Sequence, residues 1–398
     1  MEQVLTLVCK LNPTQKQALE IELVLKAFAD ACNYANQKVK PQITSKTTIQ
    51  NMVYNEIRVL FGLSANLAVR ACARVGPNRK TAKLKDKPVK AFKPTSADYD
   101  ARIFSFREKD WTVSLTLMNG REHIKIDAGN YQKGKLKDRK PTSAQLCKHR
   151  DGNYYIHIQI KDEPPTPIKS NNVIGVDFGR RDLAVTSNGD KWDGKQINDV
   201  RDKFSRLRTS LQKKATKGTR STRRRARRIL KRLSGKERRF QQWLNHNISK
   251  SIIQNALKNN AVVAVEDLKG IREKTNQKPR SKTERRRSNS WSFYQLRSFL
   301  EYKGIQFGVE VIAVPPAWTS QTCHQCLYIG LRSDKCFKCI NETCSWSGNA
   351  DLNGAKNIAA IGVTFVNSPR GSNRLYCNFS IDSSGLLKAD THRLRECG

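Results

Sequence analysis

Two short apolar runs in the second half of the chain each end in a carboxylate. Val173–Val176 leads into Asp177, and Ala261–Val265 leads into Glu266. Continuous apolar runs of this length are typical of buried strands. Leu183–Ser187 predicts a further strand that forms a hairpin with the first. An isolated carboxylate at the end of a buried strand is costly unless a cation meets it, so the repetition indicates a site.

The N-terminal part of the chain predicts one strand and a long helix. Val4–Cys9 has the composition of a short strand. Thr14 and Gln17 have the spacing of a capping box, which predicts a helix that continues to about Gln37. The apolar face of this helix is expected to carry Leu19, Leu23 and Ala27.

Two further helices are predicted in this region. One spans Thr48–Phe61, and the other begins with Ser64 as its N-cap and continues through Arg74. Gly76–Pro77 is expected to end or kink the second helix, because proline lacks a backbone N–H. A basic linker is predicted for residues 78–90. The region is either a small helical bundle or a lobe that recognises nucleic acid.

From Ala101 onward, strand-like segments replace the helical pattern. Turns are predicted at Asn119–Gly120 and Asp151–Gly152. Together with the N-terminal strand, these segments predict a small antiparallel barrel or sandwich. Pro164–Pro167 is expected to be a stiff linker into the next domain. The predicted strands are Arg102–Phe106, Trp111–Met118, His123–Asp127 and Tyr154–Ile160.

Net charge narrows the class of partner. The 398 residues, of which 38% are apolar, are enough for two or three domains. Lys and Arg number 74 against 35 Asp and Glu, a formal net charge of +39. Such an excess opposes compaction unless a polyanion neutralises it, so nucleic acid is the expected partner. A membrane is disfavoured, because no apolar run reaches the ~18 residues of a spanning helix and Met1 begins no signal-peptide pattern.

Much of the positive charge lies between Arg201 and Arg239, where 18 Lys or Arg stand against two acids. Helical spacing across residues 201–258 predicts two antiparallel helices, interrupted at Lys217–Gly218. Cations at this density repel one another, so contact with phosphates is favoured over an ordinary solvated face. The candidate nucleic-acid-binding residues are Arg220, Arg223, Arg224, Arg225, Arg227, Arg228, Lys231 and Arg232.

Five of the eleven cysteines lie between Cys323 and Cys344. In a chain without a secretory signal this clustering favours a metal over disulfides. Cys323 and Cys326 form one pair of ligands. The second pair is either Cys336 with Cys339 or Cys339 with Cys344, and spacing alone leaves both open. Four thiolates suit a structural zinc ribbon and leave no open position for catalysis.

A third acid, Asp351, lies in the predicted helix start Asn349–Ile358. Hydrolysis of a phosphodiester commonly uses two hard cations roughly 3.5–4 Å apart, and Mg²⁺ prefers oxygen ligands such as carboxylates. Asp177, Glu266 and Asp351 are therefore predicted to form a two-magnesium catalytic site. The alternative is that Asp177 or Glu266 pairs with a nearby arginine.

At these motifs the chain resembles the TnpB-type RNA-guided DNA endonucleases encoded by transposons, relatives and presumed ancestors of the type V CRISPR effectors. The resemblance extends from about residue 4 to about residue 362. The three C-terminal motifs follow the family order, with a ribbon between the last two acids. The motifs are Leu11–Gln17, Cys32–Tyr34, Ile174–Ala184, Val265–Lys269, and Thr319–Cys326 joined to Ala350–Ile358.

The resemblance implies an α/β multidomain protein. Its parts are a RuvC-like, RNase H-type nuclease domain with an inserted zinc ribbon, a β-barrel wedge domain and a helical recognition lobe. The implied boundaries are 1–10 for the first strand of the wedge barrel, 11–91 for the helical lobe, 92–165 for the barrel, 166–318 for the nuclease domain, 319–345 for the ribbon, 346–362 for the last nuclease segment and 363–398 for a flexible tail.

The resemblance also implies the roles of the site residues. Asp177, Glu266 and Asp351 are the catalytic acids that bind two Mg²⁺. One departure is Asn349, where many relatives carry an acid, which weakens the expected activity only if that acid binds metal. Cys336 is left as a bystander. The implied ligands of one structural Zn²⁺ are Cys323, Cys326, Cys339 and Cys344.

The implied function is that of an RNA-guided DNA endonuclease, acting in the cytoplasm of a prokaryotic cell at the nucleoid. Its partners are a guide RNA and target DNA, with no membrane, and it acts as a monomer or as a dimer on one RNA. The loop 270–289 is a candidate lid over the active site. Two rival functions are a guided DNA-binding protein that represses without cutting and a structural RNA-binding zinc-ribbon protein.

Overall fold

A seven-stranded antiparallel sheet forms the framework of the N-terminal part of the chain. The computed structural model describes residues 3–84, 87–179, 181–268, 281, 293–367, 379–381 and 387–389. The chain divides into two units, Met1–Glu163 and Pro164–Gly398. The candidate lid at 270–289 lies outside the described residues, apart from Ser281.

The sheet of the N-terminal unit has the strand order β2-β6-β7-β1-β5-β4-β3. As predicted, the N-terminal strand completes it, because β1 pairs with β7 on one side and β5 on the other. The Tyr99 hydroxyl of β2 donates to the Thr116 carbonyl of β4, so the sheet is nearly closed. The strands are β1 Gln3–Asn12, β2 Ser96–Asp100, β3 Phe104–Arg107, β4 Thr112–Leu117, β5 Gly120–Asp127, β6 Ser143–Lys148 and β7 Tyr154–Asp162.

The first helix of this unit begins as predicted but buries a different face. Thr14 and Gln17 form the capping box. The prediction for Leu19 and Leu23 is wrong, since they are 68% and 51% exposed. The buried stripe includes Ile21, Val24, Leu25, Phe28, Ala31, Cys32 and Ala35 and is longer than the predicted one. The helices are α1 Gln15–Lys38, α2 Lys46–Phe61, α3 Ala65–Leu84 and α4 Asn130–Leu136.

Helix α3 continues through Pro77 to Leu84, so the predicted end of the helix at Gly76–Pro77 is wrong. The predicted linker 78–90 is wrong for residues 78–84, whereas residues 87–90 lie outside helices and strands. The reason lies in Arg79, whose buried guanidinium anchors the segment after the proline. It donates to the backbone carbonyls of Asn36, Val39, Lys40 and Ile43. These bonds offset the helical bond that proline cannot make.

A five-stranded sheet of order β10-β9-β8-β11-β12 organises the C-terminal unit. Strands β8, β11 and β12 run parallel, and β9 and β10 continue the sheet antiparallel. The predicted strands at Asp177, Glu266 and residues 183–187 are confirmed, and the short β10 was not predicted. The strands are β8 Val173–Asp177, β9 Asp182–Thr186, β10 Lys191–Asp193, β11 Val262–Glu266 and β12 Val311–Val314.

Helices cover this sheet on both faces. Val263 and Val265 of β11 pack in a cluster with Ile248 and Ile252, whereas Ala264 between them packs with Ile358 on the other face. The basic segment 201–258 forms parts of three helices rather than two, because a second break occurs at Gly235, where φ is +79°. The helices are α5 Lys195–Thr216, α6 Arg220–Leu233, α7 Lys236–Lys258, α8 Phe293–Phe307 and α9 Ala350–Asn367.

The remaining strands are short. Strands β13 Gly330–Ser333, β14 Cys336–Cys339 and β15 Ser347–Asn349 form a small antiparallel sheet. The prediction of a flexible tail from residue 363 onward is wrong in part. Helix α9 continues to Asn367, and β16 Phe379–Ile381 pairs with β17 Leu387–Ala389. Within the described residues, no helix has the length and apolar character needed to cross a membrane.

Candidate active site and zinc centre

Four cysteines converge at one end of the small β13–β15 sheet. Their Sγ atoms all lie within 4.8 Å of one another. The separations are 3.8 Å for Cys323–Cys344 and 3.5 Å for Cys326–Cys339. Two thiolates bound to one tetrahedral zinc at about 2.3 Å have nearly the same separation. The donor set therefore fits a structural Zn²⁺.

Strand alternation explains which cysteines take part. In β14, Phe337 and Cys339 are buried on one face, and Cys336 is exposed on the other. Leu327 and Ser345 have φ of +59° and +49°, so each knuckle turns sharply just after its ligand. The cluster is Cys323, Cys326, Cys339 and Cys344, the set implied by the resemblance, and Cys336 lies outside it.

Two of the three predicted acids lie at the same edge of the five-stranded sheet. Val265 of β11 pairs with Val176 of β8 in a parallel register, so the next residue of each strand is an acid, Asp177 or Glu266. Parallel strands end at a common edge, which places both carboxylates there. The two acids that end separate apolar runs in the sequence therefore lie at neighbouring strand ends in the structure.

The third acid is carried to this edge by α9. Helix α9 packs closely on β8, and a Cβ added at Gly175 would lie 2.0 Å from the Ala355 carbonyl oxygen. A Cβ added at Gly354 would lie 3.2 Å from Asp177 Oδ2. The first turn of α9, which contains Asp351, therefore lies beside Asp177. Asn349 caps this helix, because its Oδ1 accepts from the amides of Asp351 and Leu352.

The acids influence one another electrostatically. Burial, together with the negative charges of Glu266 and Asp351, raises the pKa of Asp177 to about 8. Burial also raises the pKa of Glu266, which a hydrogen bond from Thr319 opposes. Burial raises the pKa of Asp351, and Arg332 opposes that rise. A site with this excess of negative charge favours cations.

The carboxylate oxygens of the three acids do not all lie within 4.8 Å of one another. Across the part of the chain that the structure describes, only the cysteine cluster brings three or more such ligand atoms within 4.8 Å of one another. No ion pair joins Asp177 or Glu266 to a described arginine or lysine. The alternative prediction that one of these two acids pairs with an arginine is therefore not met in the described residues.

An arginine of the ribbon reaches the site instead. Arg332 Nη2 of β13 lies 2.8 Å from Asp351 Oδ1. The positive charge of Arg332 also opposes the rise in the pKa of Asp177 and of Glu266, so it acts on all three acids. Sequence reasoning missed this residue, because one arginine among many in a basic chain gives no signal.

Two further ion pairs join the β13–β14 hairpin to strand β9 and its turn. Lys335 Nζ lies 2.8 Å from Oδ2 of the buried Asp182, and Arg181 pairs with Asp334. Lys191 adds a second cation to Asp182 at 3.2 Å. The hairpin is therefore attached to the sheet beside the acids, and the ribbon and the candidate active site form one structure.

The candidate nucleic-acid-binding residues share one helix. Helix α6 has no acid in its sequence, and it packs on α5 through a small cluster that includes Leu211, Ala215 and Ala226. All eight predicted cations are exposed or partly exposed: Arg220, Arg223, Arg224, Arg225, Arg227, Arg228, Lys231 and Arg232. The helix therefore presents a dense positive surface to solvent.

Comparisons with known proteins agree with the motifs. The family described as "Probable transposase" matches residues 156–286, and the family described as "Cas12f1-like, TNB domain" matches residues 293–358. The putative RNA-guided DNA endonuclease InsQ of Escherichia coli K12 is 31% identical over 238 residues, 56% of each chain. A TnpB-like protein of Methanocaldococcus jannaschii is 37% identical over 131 residues, 33% of this chain and 45% of that protein.

A solved structure agrees with the fold. The chain in a cryo-EM structure of a Cas12f1–sgRNA–target DNA complex has a TM-score of 0.62 and 14% identity, with 87% of this chain and 83% of that chain covered. The resemblance to TnpB-type proteins that the motifs indicated is confirmed. The chain spans about half the length of the curated relatives it matches.

Proposed function

We propose that this relative of TnpB-type proteins is an RNA-guided DNA endonuclease with a RuvC-like active site formed by Asp177, Glu266 and Asp351. The observation that carries the proposal is the meeting of the three acids where β8, β11 and α9 come together. A relative named as a putative RNA-guided DNA endonuclease supports the same activity. We infer that this activity takes place in the cytoplasm, at the nucleoid, because its proposed substrate is DNA.

The acids would hold two Mg²⁺ ions. When bound, these ions supply activation of a water and stabilisation of the leaving oxygen of the phosphodiester. Asp177 and Glu266 offer oxygens from neighbouring strand ends, and Asp351 offers oxygens from the first turn of α9. Arg332 pairs with Asp351 and would hold its carboxylate in place. The ribbon, through its four cysteines and one Zn²⁺, supports the position of Arg332.

Nucleic acid would be bound along surfaces of both units. The exposed cations of α6 suit the phosphates of an RNA–DNA heteroduplex. In guided nucleases the protein contacts the sugar-phosphate backbone of the heteroduplex, and base pairing with the guide supplies sequence recognition. We assign the helical lobe (11–91) and the wedge barrel (1–10 and 92–165) to holding the guide RNA and reading a short DNA motif beside the target. This assignment follows the resemblance.

One observation favours a second candidate function. The ion pair of Arg332 with Asp351 occupies a carboxylate that a magnesium ion would need. If this pair persisted in the assembled complex, the protein would bind guided DNA without cutting it. The two functions share the same partners and differ only in hydrolysis.

The test starts with sequencing of the RNA that co-purifies with the protein. A reprogrammed guide is then assembled with the protein and offered matching DNA with and without Mg²⁺. We expect cleavage that depends on the guide and on Mg²⁺, loss of cleavage in Asp177→Ala with guide-RNA and DNA binding retained, and full cleavage in the control Asp199→Ala, which removes an exposed carboxylate of α5. Collapse of binding in Asp177→Ala would make Asp177 structural and overturn the mechanism.

A further inference from the structure

A chain of buried hydrogen bonds connects the zinc knuckle to α9. His324 lies between the ligands Cys323 and Cys326, and its backbone amide donates to Asn353 Oδ1 of α9 at 3.0 Å. The Nδ2 group of Asn353 donates to the Thr322 carbonyl at 2.7 Å. Asn353 is fully buried, and its bond to the Thr322 carbonyl is buried as well. Asn353 therefore connects the zinc knuckle to the loop that ends at Thr322.

The same loop reaches one of the acids. Asn357, one turn further along α9, donates to the carbonyls of Thr319 and Thr322 at 2.9 and 2.6 Å. The Thr319 hydroxyl donates to Glu266 Oε1 at 2.5 Å. It also lies 3.2 Å from the Pro316 carbonyl oxygen, a second possible acceptor. Thr319 is 2% exposed and Glu266 is 9% exposed, so the bond is sheltered from water.

A hydroxyl held in this way controls where a carboxylate points. A buried carboxylate with one fixed donor has fewer accessible rotamers than a solvated one, and its free oxygen keeps a defined direction. Among the described side chains, Thr319 is the one that donates a hydrogen bond to Glu266. Asn357 in turn donates to the Thr319 carbonyl, and both asparagines donate to the Thr322 carbonyl, so the loop that carries the hydroxyl is tied to α9.

We propose that Thr319 is the positioning residue for Glu266, and that Asn353 and Asn357 link it to the zinc knuckle. Zinc retention then sets the geometry of a catalytic acid through hydrogen bonds, besides holding the ribbon together. This inference rests on the proposed function, because it assigns Glu266 to a divalent-cation site. Thr319 contacts the acid and takes no part in the chemistry.

The experiment compares two substitutions at Thr319 with a matched control. Thr319→Val keeps the shape and removes the hydroxyl, and Thr319→Ser keeps the hydroxyl. Thr186→Val is the control, because Thr186 is equally buried in β9 and its hydroxyl accepts from the Asp190 amide, whereas no described hydrogen bond joins it to one of the three acids. The full chain, free of nucleic acid and loaded with zinc, is titrated with Mn²⁺, and unbound Mn²⁺ is measured by electron paramagnetic resonance. Zinc content and thermal unfolding are recorded for each variant.

We expect Thr319→Val to weaken Mn²⁺ binding by about 10–100-fold, the usual effect of losing a residue that orients a metal ligand. Thr319→Ser should restore wild-type affinity, and Thr186→Val should retain it even where its melting temperature falls. Wild-type affinity in Thr319→Val would overturn the inference and leave the proposed function intact. Absence of Mn²⁺ binding in the wild-type chain would instead overturn the metal site itself.

A second arm tests the link to zinc. Asn353→Ala is combined with Cys326→Ser, which removes a zinc ligand, and Mn²⁺ affinity is measured for both single variants and the pair. If the knuckle acts through Asn353, the pair binds Mn²⁺ as Cys326→Ser alone does, because residues in one network do not act additively. Additive losses would show that the ribbon and Glu266 are independent, and would overturn the link.

Discussion

Arg332 of the ribbon donates a hydrogen bond to the carboxylate of Asp351, with Nη2 and Oδ1 2.8 Å apart. The two residues are 19 positions apart, and one belongs to β13 and the other to α9. Arg332 thus lies beside the carboxylate that is proposed to bind a metal ion. Binding of the proposed metal ion would require Asp351 to exchange one cationic partner for another.

Replacing Arg332 with alanine should strengthen the binding of divalent cations to the free protein. The guanidinium repels a metal ion from all three acids, and its loss is expected to raise Mn²⁺ affinity by about tenfold when the carboxylates are ionised. The measurement is Mn²⁺ titration at alkaline pH. Arg181→Ala is the control, because Arg181 pairs with Asp334 of the same hairpin. Weaker binding in Arg332→Ala, with Arg181→Ala unchanged, would mean that Arg332 supports the ions.

The acids could be predicted from the sequence, and Arg332 could not. Asp177 and Glu266 each follow a continuous apolar run, which predicts a buried strand. Because the two strands are parallel neighbours, both acids lie at the same edge of the sheet. Arg332 is brought to the site by the ribbon, whose attachment depends on ion pairs between distant residues such as Lys335 and Asp182. No periodicity in the sequence reports such pairs.

Tertiary contacts also explain why α1 and α3 differ from their predictions. Proline ends a helix by its local chemistry, but α3 continues because Arg79 finds four carbonyls at the end of α1 and in the loop before α2. In α1, the short repeat at Leu19 and Leu23 competes with a longer buried stripe through Phe28. Local rules predicted the helix types and starts, and long-range contacts decided lengths and faces.

Substitutions of single cysteines should separate zinc ligands from the bystander. Cys339→Ser removes a thiolate from the cluster and should lower zinc content well below one ion per chain and unfold the ribbon, because zinc binding supplies much of the folding free energy of such small sites. Cys336→Ser should retain one zinc ion, since Cys336 lies exposed on the opposite face of β14. Zinc content is measured by atomic emission. Loss of zinc from Cys336→Ser and retention by Cys344→Ser would support the other pairing.

The packing of α9 on β8 leaves no room for a methyl group at Gly175. A Cβ there would meet the backbone of Ala355 and Ala359 at 2.0 and 2.4 Å, and backbone atoms cannot rotate away. Gly175→Ala should therefore destabilise the C-terminal unit by about 3 kcal/mol or more. The control is Gly134→Ala in α4, where a Cβ meets nothing within 4 Å and a gain of about 0.5–1 kcal/mol is expected. Chemical denaturation of both variants measures the difference, and equal stabilities would refute the close approach of α9 to β8.

The exposed arginines of α6 should contribute to nucleic-acid affinity through charge. Arg224→Ala with Arg228→Ala should weaken binding of guide RNA and reduce the slope of log affinity against log salt concentration by up to about two, because each arginine that neutralises a phosphate adds about one to that slope. The matched control replaces both residues with lysine, which keeps the charge. Binding isotherms at several salt concentrations give the slope. An unchanged slope in the alanine variant would mean that this surface faces solvent in the complex.

The location of bound Mn²⁺ in the assembled protein–guide RNA–target DNA complex tests the central claim most directly. Anomalous scattering from crystals grown with Mn²⁺ should give two peaks roughly 3.5–4 Å apart, ligated by oxygens of Asp177, Glu266 and Asp351, with Arg332 released from Asp351. Peaks remote from these acids, or an Asp351 still bound to Arg332 with no ion beside it, would contradict the account.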